Sequence, residues 1–563
     1  MSELAVGDSS KLPASWDVAA VDEVASINPK LVGAIDDSDQ VHFVPMAAVA
    51  EDFGGIDVSA TRPYGEVRKG YTCFASQDVL FAKITPCMEN GKGALVPKLA
   101  HIHAFGSTEF HVLRSYGAVR PKWLARYLSQ PDFRKAARHN MTGTAGQLRV
   151  PTKWLSASKL PVPPLAEQDR IVEKLEELLS DLDAGVAELK AAQRKLAQYR
   201  QSLLKAAVEG ALTADWRAAR TAVPSSSSLR KQGSSDSKRN TAKSLDSRVR
   251  GNDGHEETGA ALLQRILTER RAHWEAKQLA KFAEQGKTPP KDWQSKYPEP
   301  VAPDTTDLPA LPEGWAWASI EQVSADDAYS LAIGPFGSNL TVADYRSEGV
   351  PLVFVRHIRS RQYANTKFVS LEKADELKAH HVEAGDVLVT KMGEPPGDAD
   401  IYPAGCQTAV ITADCIKVRC QQGLMLPQFL AAIVNSALGK KQIQPITQGV
   451  AQKKVSLGRF SSLALPLPPI DEQSYAVAQL TVALKEADAQ ANTLEYGLKQ
   501  AAAQRKNILK AAFAGQLVPQ DPHDEPASTL LERIRTERVA AGANGAGETG
   551  QKNKRKAKEA GHA

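Results

Sequence analysis

The nine residues LPVPPLAEQ, starting at Leu160, return as LPLPPIDEQ starting at Leu465. From these points Leu160–Leu212 aligns with Leu465–Leu517 without a gap, and 20 of the 53 paired positions are identical. The identities include Pro161/Pro466, Pro163/Pro468, Pro164/Pro469, Glu167/Glu472, Gln168/Gln473 and the run Leu204-Lys205-Ala206-Ala207 against Leu509-Lys510-Ala511-Ala512. A repeat of this quality means that the fold is built from two like units, and every other feature has to be read twice.

The duplication extends outward in both directions. LPASWDVAAVDEV at Leu12 answers LPEGWAWASIEQV at Leu311, DVLFAKI at Asp78 answers DVLVTKM at Asp386, and PKWLARYLS at Pro121 answers PQFLAAIVN at Pro427. These offsets drift between 299 and 308, so the loops between them differ in length. Downstream, LLQRILTER at Leu262 answers LLERIRTER at Leu530, 50 residues after Leu212 but only 13 after Leu517. The surplus falls on the serine-rich stretch Ser225–Gly254, which has no counterpart in the second copy.

Behind the prolines, apolar residues recur at alternating steps of three and four. They are Val172, Leu175, Leu179, Leu182, Val186, Leu189, Leu196 and Leu203 in one copy, and Val477, Leu480, Leu484, Ala487, Ala491, Leu494, Leu498, Ala501 and Ile508 in the other. That spacing is the seam of a coiled coil. Prolines suit a helix mouth, where their missing N–H groups have no intrahelical partner, and Gly210 and Gly515 stand where C-terminal caps belong. Each helix of about 42 residues would extend ~63 Å. Gln193, Arg200 and Arg505 interrupt the seam; the two arginines are equivalent in the repeat, and such residues read as register-fixing, as meeting a third helix from a partner, or as side chains snorkelling at the seam's edge. An antiparallel intramolecular pair, relating the copies by a pseudo-twofold axis, is the expected arrangement.

The fold class expected is therefore α+β: two mixed α/β domains in tandem, separated by two long helices in an antiparallel coiled coil. The boundaries expected are 1–159 for the first domain and 160–212 for the first spacer helix. Residues 213–310 form a linker with a disordered insert and a short helix, 311–464 the second domain, 465–517 the second spacer helix, and 518–563 a C-terminal helix with a basic disordered tail.

At 563 residues with 42% apolar and 24% charged residues, the chain has the composition of a soluble multidomain protein. It contains no stretch of eighteen apolar residues and opens on no secretory signal pattern, so a cytoplasmic location without membrane contact is expected. The five cysteines show no paired metal or disulfide spacing and read as reduced, mostly buried thiols. The net charge of +5 is mild, and much of the excess lies in Ser225–Gly254 and the tail QKNKRKAKEAGHA, both read as solvated chain.

The doubled PLPPLxEQ junction, the long helix, GALTADWR at Gly210 and the paired Trp-containing starts resemble the specificity subunit of type I restriction–modification systems. The resemblance covers nearly the whole chain except the serine-rich insert and the tail. It implies that each globular part is a target recognition domain reading one half of a split double-stranded DNA sequence, and that the helices set the gap. It also implies a subunit that is not itself an enzyme and binds no cofactor. Two modification subunits would methylate adenine with S-adenosylmethionine, and restriction subunits would use ATP and Mg. Pro164, Glu167, Gln168, Leu175, Leu179 and Arg200, with Pro469, Glu472, Gln473, Leu480, Leu484 and Arg505, are the expected spacer and subunit-interface residues. A coiled-coil adaptor with two ligand-binding domains and no DNA partner is the other reading of the same pattern.

Searching for catalysis finds little. GEPPGD at Gly393 lacks the amide and aromatic that flank the prolines of an adenine methyltransferase loop, and no phosphate-binding G-x-x-x-x-G-K-[ST] occurs. His101 and His103, or His380 and His381, could ligate a metal only with a third ligand that the sequence does not offer, so neither a catalytic nor a metal site is expected. DNA readers need basic and amide side chains on loops, for phosphates and base edges. The candidates are Lys83, Thr85 and Lys92 after DVLFAK; Thr142, Gln147 and Arg149 in TGTAGQLR; Lys391, Thr447, Gln452, Lys453 and Lys454 in the second copy; and Arg356 and Arg359 in FVRHIRSRQY. Taken singly each is an ordinary solvated loop. Recurrence at matched positions singles out Lys83/Lys391, Gln147/Gln452 and Arg149/Lys454.

Overall fold

The repeated VLFA and VLVT segments form strands Val79–Ala82 and Val387–Thr390, buried on both faces. Successive side chains of a strand point to opposite sides, so each segment serves two cores. Val79 and Phe81 meet helix Pro121–Ser129, while Leu80 and Ala82 meet the neighbouring sheet. Val387, Val389 and Leu388 divide in the same way.

The computed structural model describes residues 12–30, 33–101, 103–144, 146–221, 257–448 and 453–540. The serine-rich stretch and the basic tail lie outside them. The chain forms two compact units, one of residues 1–191 with 494–563, the other of residues 192–493.

In the first unit, Ala25–Ile27, Phe110–Ser115, Val79–Ala82 and Gly93–Leu95 make a four-stranded antiparallel sheet in that order. A second sheet runs Thr61–Pro63, Gln40–Val44, His103–Gly106, Thr72–Ala75, its central pair parallel. The second unit repeats both sheets. One runs Leu331–Ile333, Cys415–Val418, Val387–Thr390, Ala399–Ile401; the other runs Phe368–Val369, Val350–Val353, Ala409–Ile411, His381–Val382, again with a parallel central pair. Two cores whose outer residues have diverged thus share one strand order.

A ribbon closes each domain. Asp17–Ala20 pairs with Lys159–Val162, and Ala316–Ser319 with Ala464–Leu467, so the Trp-containing start lies antiparallel to the LPxP segment. The long helices follow, Leu165–Val208 and Ile470–Phe513, 44 residues each. The second proline of each PP pair sits just ahead of the helix, its carbonyl accepting from Gln168 N and Gln473 N at 2.9 and 3.0 Å.

Within each unit the two helices run antiparallel. In the first, Asp183 faces Arg505 and Leu189 faces Gly497; in the second, Arg200 faces Asp488 and Leu204 packs with Leu480. Leu175 and Leu179 are buried in the first unit and Leu480 in the second, with Leu484 half-buried.

The expected linker 213–310 includes a helix that packs on the second domain. Helix Gly259–Glu284 has 26 residues, and its Leu262 and Ile266 enter the second domain's core. Gly259 lies so close to Leu467 O that a β-carbon there would come within 2.1 Å. The equivalent residues of the second copy, Ala527, Leu530, Leu531 and Ile534, enter the core of the first domain. Each copy's trailing helix therefore covers the other copy's domain, because the apolar face of LLQRILTER or LLERIRTER needs a core to bury against.

Candidate nucleic-acid interface

Both strands named above leave their sheets at a lysine, and in both domains the exit is bonded to the polar loop further on. Thr85 N donates to Leu148 O at 3.0 Å and Val150 N to Lys83 O at 2.8 Å. In the second domain Gly393 N donates to Lys453 O at 3.4 Å and Val455 N to Lys391 O at 3.0 Å. Isolated bridges Ile84–Arg149 and Met392–Lys454 mark the matched positions. The loops paired by sequence recurrence are thus brought together into one rim per domain.

A third segment completes each rim. Lys83 N donates to Glu109 O and Lys391 N to Asp414 O, at 2.9 and 2.7 Å. In the first domain Glu109 also receives both arms of Arg149, Nη2 to Oε1 at 2.7 Å and Nε to Oε2 at 3.0 Å, and these bonds hold its carboxyl below the usual range. Thr85 Oγ1 donates to Gly146 O at 3.3 Å and accepts from Leu148 N. Lys92 Nζ donates to Met46 O, while Thr142 and Gln147 are exposed. In the second domain, burial pushes the Lys391 ammonium below its ordinary value, and it donates to Ala413 O at 3.2 Å. Thr447 Oγ1 donates to Ile443 O; Lys453 and Lys454 are exposed, with Lys453 Nζ 3.7 Å from Glu394. Gln452 lies outside the described residues.

Two of the candidate readers have intramolecular partners. The fork of Arg149 is occupied by Glu109, and that of Arg359 by Asp398 at 2.9 Å and Pro395 O. Asp398, although burial opposes its charge, is held below the carboxylate range by Lys440 and Arg359. Both arginines build the rim's shape instead of presenting a free guanidinium. Arg356 lies over the Phe354 ring at 4.7 Å and donates to Asn365 O at 3.4 Å. Sequence reasoning misses Glu109 and Asp414, though they stand 305 residues apart in STEF and TADC, the same offset as the long repeat.

The repeated Asp of DVLFAK and DVLVTK is structural. Asp78 and Asp386, both buried, each take two bonds from Arg114 and Arg419, at 2.7 Å in one domain and 2.8 and 2.9 Å in the other. His42 Nε2 accepts from His101 N, and His380 and His381 bond to the carbonyls of Ile333 and Ala374. Among the described residues no group of three His, Cys, Asp or Glu could hold a metal. Cys415 and Cys420 are buried, and burial pushes both thiols up to about 12; Cys406 is exposed.

The EQ pair, expected among the spacer and subunit-interface residues, is buried in each unit. Glu167 accepts from Trp16 Nε1 at 3.0 Å and Gln520 Nε2 at 2.6 Å, and burial raises its pKa. Glu472 accepts from Trp315 Nε1 at 2.9 Å, Thr213 Oγ1 at 2.6 Å and Arg217 Nη1 at 2.5 Å. Gln168 ties Arg120 N, Ala118 O and Pro163 O together; Gln473 does the same with Leu426 N, Leu424 O and Pro468 O. Within each unit this network joins the Trp-containing start of a domain, the entry to helix Pro121–Ser129 or Pro427–Asn435, and the foot of a long helix.

Comparison with known proteins bears on this doubled architecture. The chain is 30% identical over 320 residues to the specificity subunit of the type I restriction enzyme EcoAI of Escherichia coli, covering 56% of this chain and 51% of that protein. It is 25% identical over 493 residues to the EcoEI specificity subunit of Escherichia coli, covering 85% of this chain and 79% of that protein. The chain is thus similar, over most of its length, to specificity subunits of type I restriction enzymes. No protein-family model matches it. The chain spans about half the length of the EcoAI subunit. A chain from a solved structure concerned with complex assembly and conformational transition of the type I R-M system shares its fold, with a TM-score of 0.56 at 18% identity, covering 90% of this chain and 99% of that one. In this chain the EQ residues belong to the frame, and the rims carry the exposed polar groups. No helix among the described residues is long and apolar enough to cross a membrane.

Proposed function

We propose that this chain is a specificity subunit that reads a split double-stranded DNA target, one half with each rim, and that the two 44-residue helices set the interval between the halves. The observation carrying the reading is the recurrence of one rim, Lys83/Arg149/Glu109 and Lys391/Lys454/Asp414, at the same strand exit of two domains. Exposed Gln147, Lys453 and Lys454 offer an amide for base edges and ammonium groups for phosphates. A 44-residue helix is ~66 Å long, ample for half-sites about one turn, ~34–36 Å, apart. Chemistry belongs to partners: two modification subunits methylating adenine with S-adenosylmethionine, and restriction subunits using ATP and Mg. Exposed Tyr199, Val482 and Tyr496 on the long helices supply apolar footholds for such subunits.

The test is the methylation motif of DNA from cells carrying this chain with its modification subunits. A split sequence with a constant gap supports the reading; a continuous motif overturns it. Removing one heptad from both helices shortens the interval by ~10 Å, about three base pairs, and should shift the gap while leaving each half-sequence unchanged.

A further inference from the structure

The loop Gly334-Pro-Phe-Gly-Ser-Asn339 leaves edge strand Leu331–Ile333 of the second domain. Its root is tight. Gly334 N donates to Cys415 O at 3.1 Å, and a β-carbon at Gly334 would come within 2.0 Å of Thr412 O. Its tip is open: Phe336 is 71% exposed, and Gly337, Ser338 and Asn339 are exposed with it. Asn339 N donates to Phe336 O at 2.8 Å, closing a turn that holds the ring outward.

The segment gripping the loop's root also grips the rim. Ala413 O accepts from Lys391 Nζ and Asp414 O from Lys391 N. A water-exposed phenyl ring therefore sits on the border of the basic rim of Lys391, Lys453 and Lys454. The matching stretch of the first domain, residues 28–40 (NPKLVGAIDDSDQ), contains no aromatic, and Asn28 Oδ1 accepts from Val112 N at 3.0 Å.

A planar apolar side chain carried by a firm turn beside phosphate-binding groups matches the faces of stacked bases. Such wedges enter between base steps, partly unstack them and bend the duplex. We propose that Phe336 is a base-stacking wedge that enters the DNA at the second half-site and unwinds the step it enters. The inference rests on the reading that the rim binds DNA, and the following experiment separates the two.

The full-length chain is bound to relaxed, closed-circular plasmid, topoisomerase I is added, and linking number is read after the protein is removed; a gel shift on the same plasmid reads binding. The wild type and Phe336→Trp should lower the linking number. Phe336→Ala should bind within about tenfold of wild type yet leave the linking number unchanged. A side chain this exposed can be removed without opening a core, and circular dichroism checks that. Unwinding by Phe336→Ala equal to wild type, or binding by the wild type without unwinding, overturns the wedge and leaves DNA reading standing. No gel shift by the wild type overturns both.

Discussion

Trp16 and Trp315 each donate an indole N–H to a buried glutamate, Glu167 and Glu472, and Gln168 and Gln473 bond the same three backbone positions in their domains. The rims of the same two domains share a backbone path and little else. Arg149 clamps Glu109 where the second domain has Lys454 and Asp414, and an exposed Phe336 borders only the second. The contrast follows from solvation. A buried carboxylate must have its acceptor sites filled, so changing one partner strands the others. An exposed rim residue exchanges partners with water at little cost, so two rims on one frame are free to diverge.

The largest effect expected is at the junctions. Glu472→Ala removes the carboxylate that Arg217, Thr213 and Trp315 share and should cost on the order of 3 kcal/mol in denaturant unfolding. Glu167→Ala strands only the neutral donors Trp16 and Gln520 and should cost less, on the order of 2 kcal/mol. Equal losses would show that the arginine adds nothing and that the two junctions are energetically alike.

Rim substitutions should leave stability nearly unchanged and act on DNA. Lys453→Gln with Lys454→Gln should weaken binding across all sequences and reduce the salt slope of log K by about one for each phosphate no longer neutralised. Gln147→Ala should instead relax the first half-site while leaving the slope unchanged. A slope change from Gln147→Ala would reassign that residue from base edges to backbone.

The helix pair offers a finer comparison. Arg200 pairs with Asp488, and Arg505 with Asp183, the same two repeat positions exchanged. All four side chains are at least a third exposed, so double-mutant cycles should return about 0.2–1 kcal/mol for each pair. The matched repeat positions predict similar values. A clear difference would break the symmetry where sequence identity is strongest.

The smallest effect is acid sensitivity of the first rim. Glu109 has a folded pKa below its unfolded one, so the unfolded chain binds more protons as pH drops. Stability from this pair is present above an ordinary Glu pKa of about 4.3 and is lost as pH falls through the folded value. Glu109→Gln should remove that part of the pH dependence in acid titrations of unfolding.

Much of this is readable along the chain. Constant offsets expose the duplication, alternating three-and-four spacing marks the helices, and PP followed by EQ places their starts. The recurrent loops that the structure joins into rims are recognisable as pairs. Arg149 and Arg359 look like DNA-binding groups in the sequence because an arginine on a polar loop reads the same whether or not a carboxylate waits 40 or 39 residues away, as Glu109 and Asp398 do. Glu167 and Gln168 look like surface residues because Glu and Gln rarely sit fully inside. Only the packed fold supplies the tryptophan that meets the glutamate.

By itself the sequence determined that there are two like domains, two long helices and one repeated way of joining them, because repeat and periodicity are properties of order along a chain. The tertiary structure decided which polar groups meet, which arginines are already occupied and which copy's tail covers which domain. Those outcomes depend on contacts between residues tens to hundreds of positions apart, where desolvation and hydrogen-bond geometry, and not local preference, choose the partner.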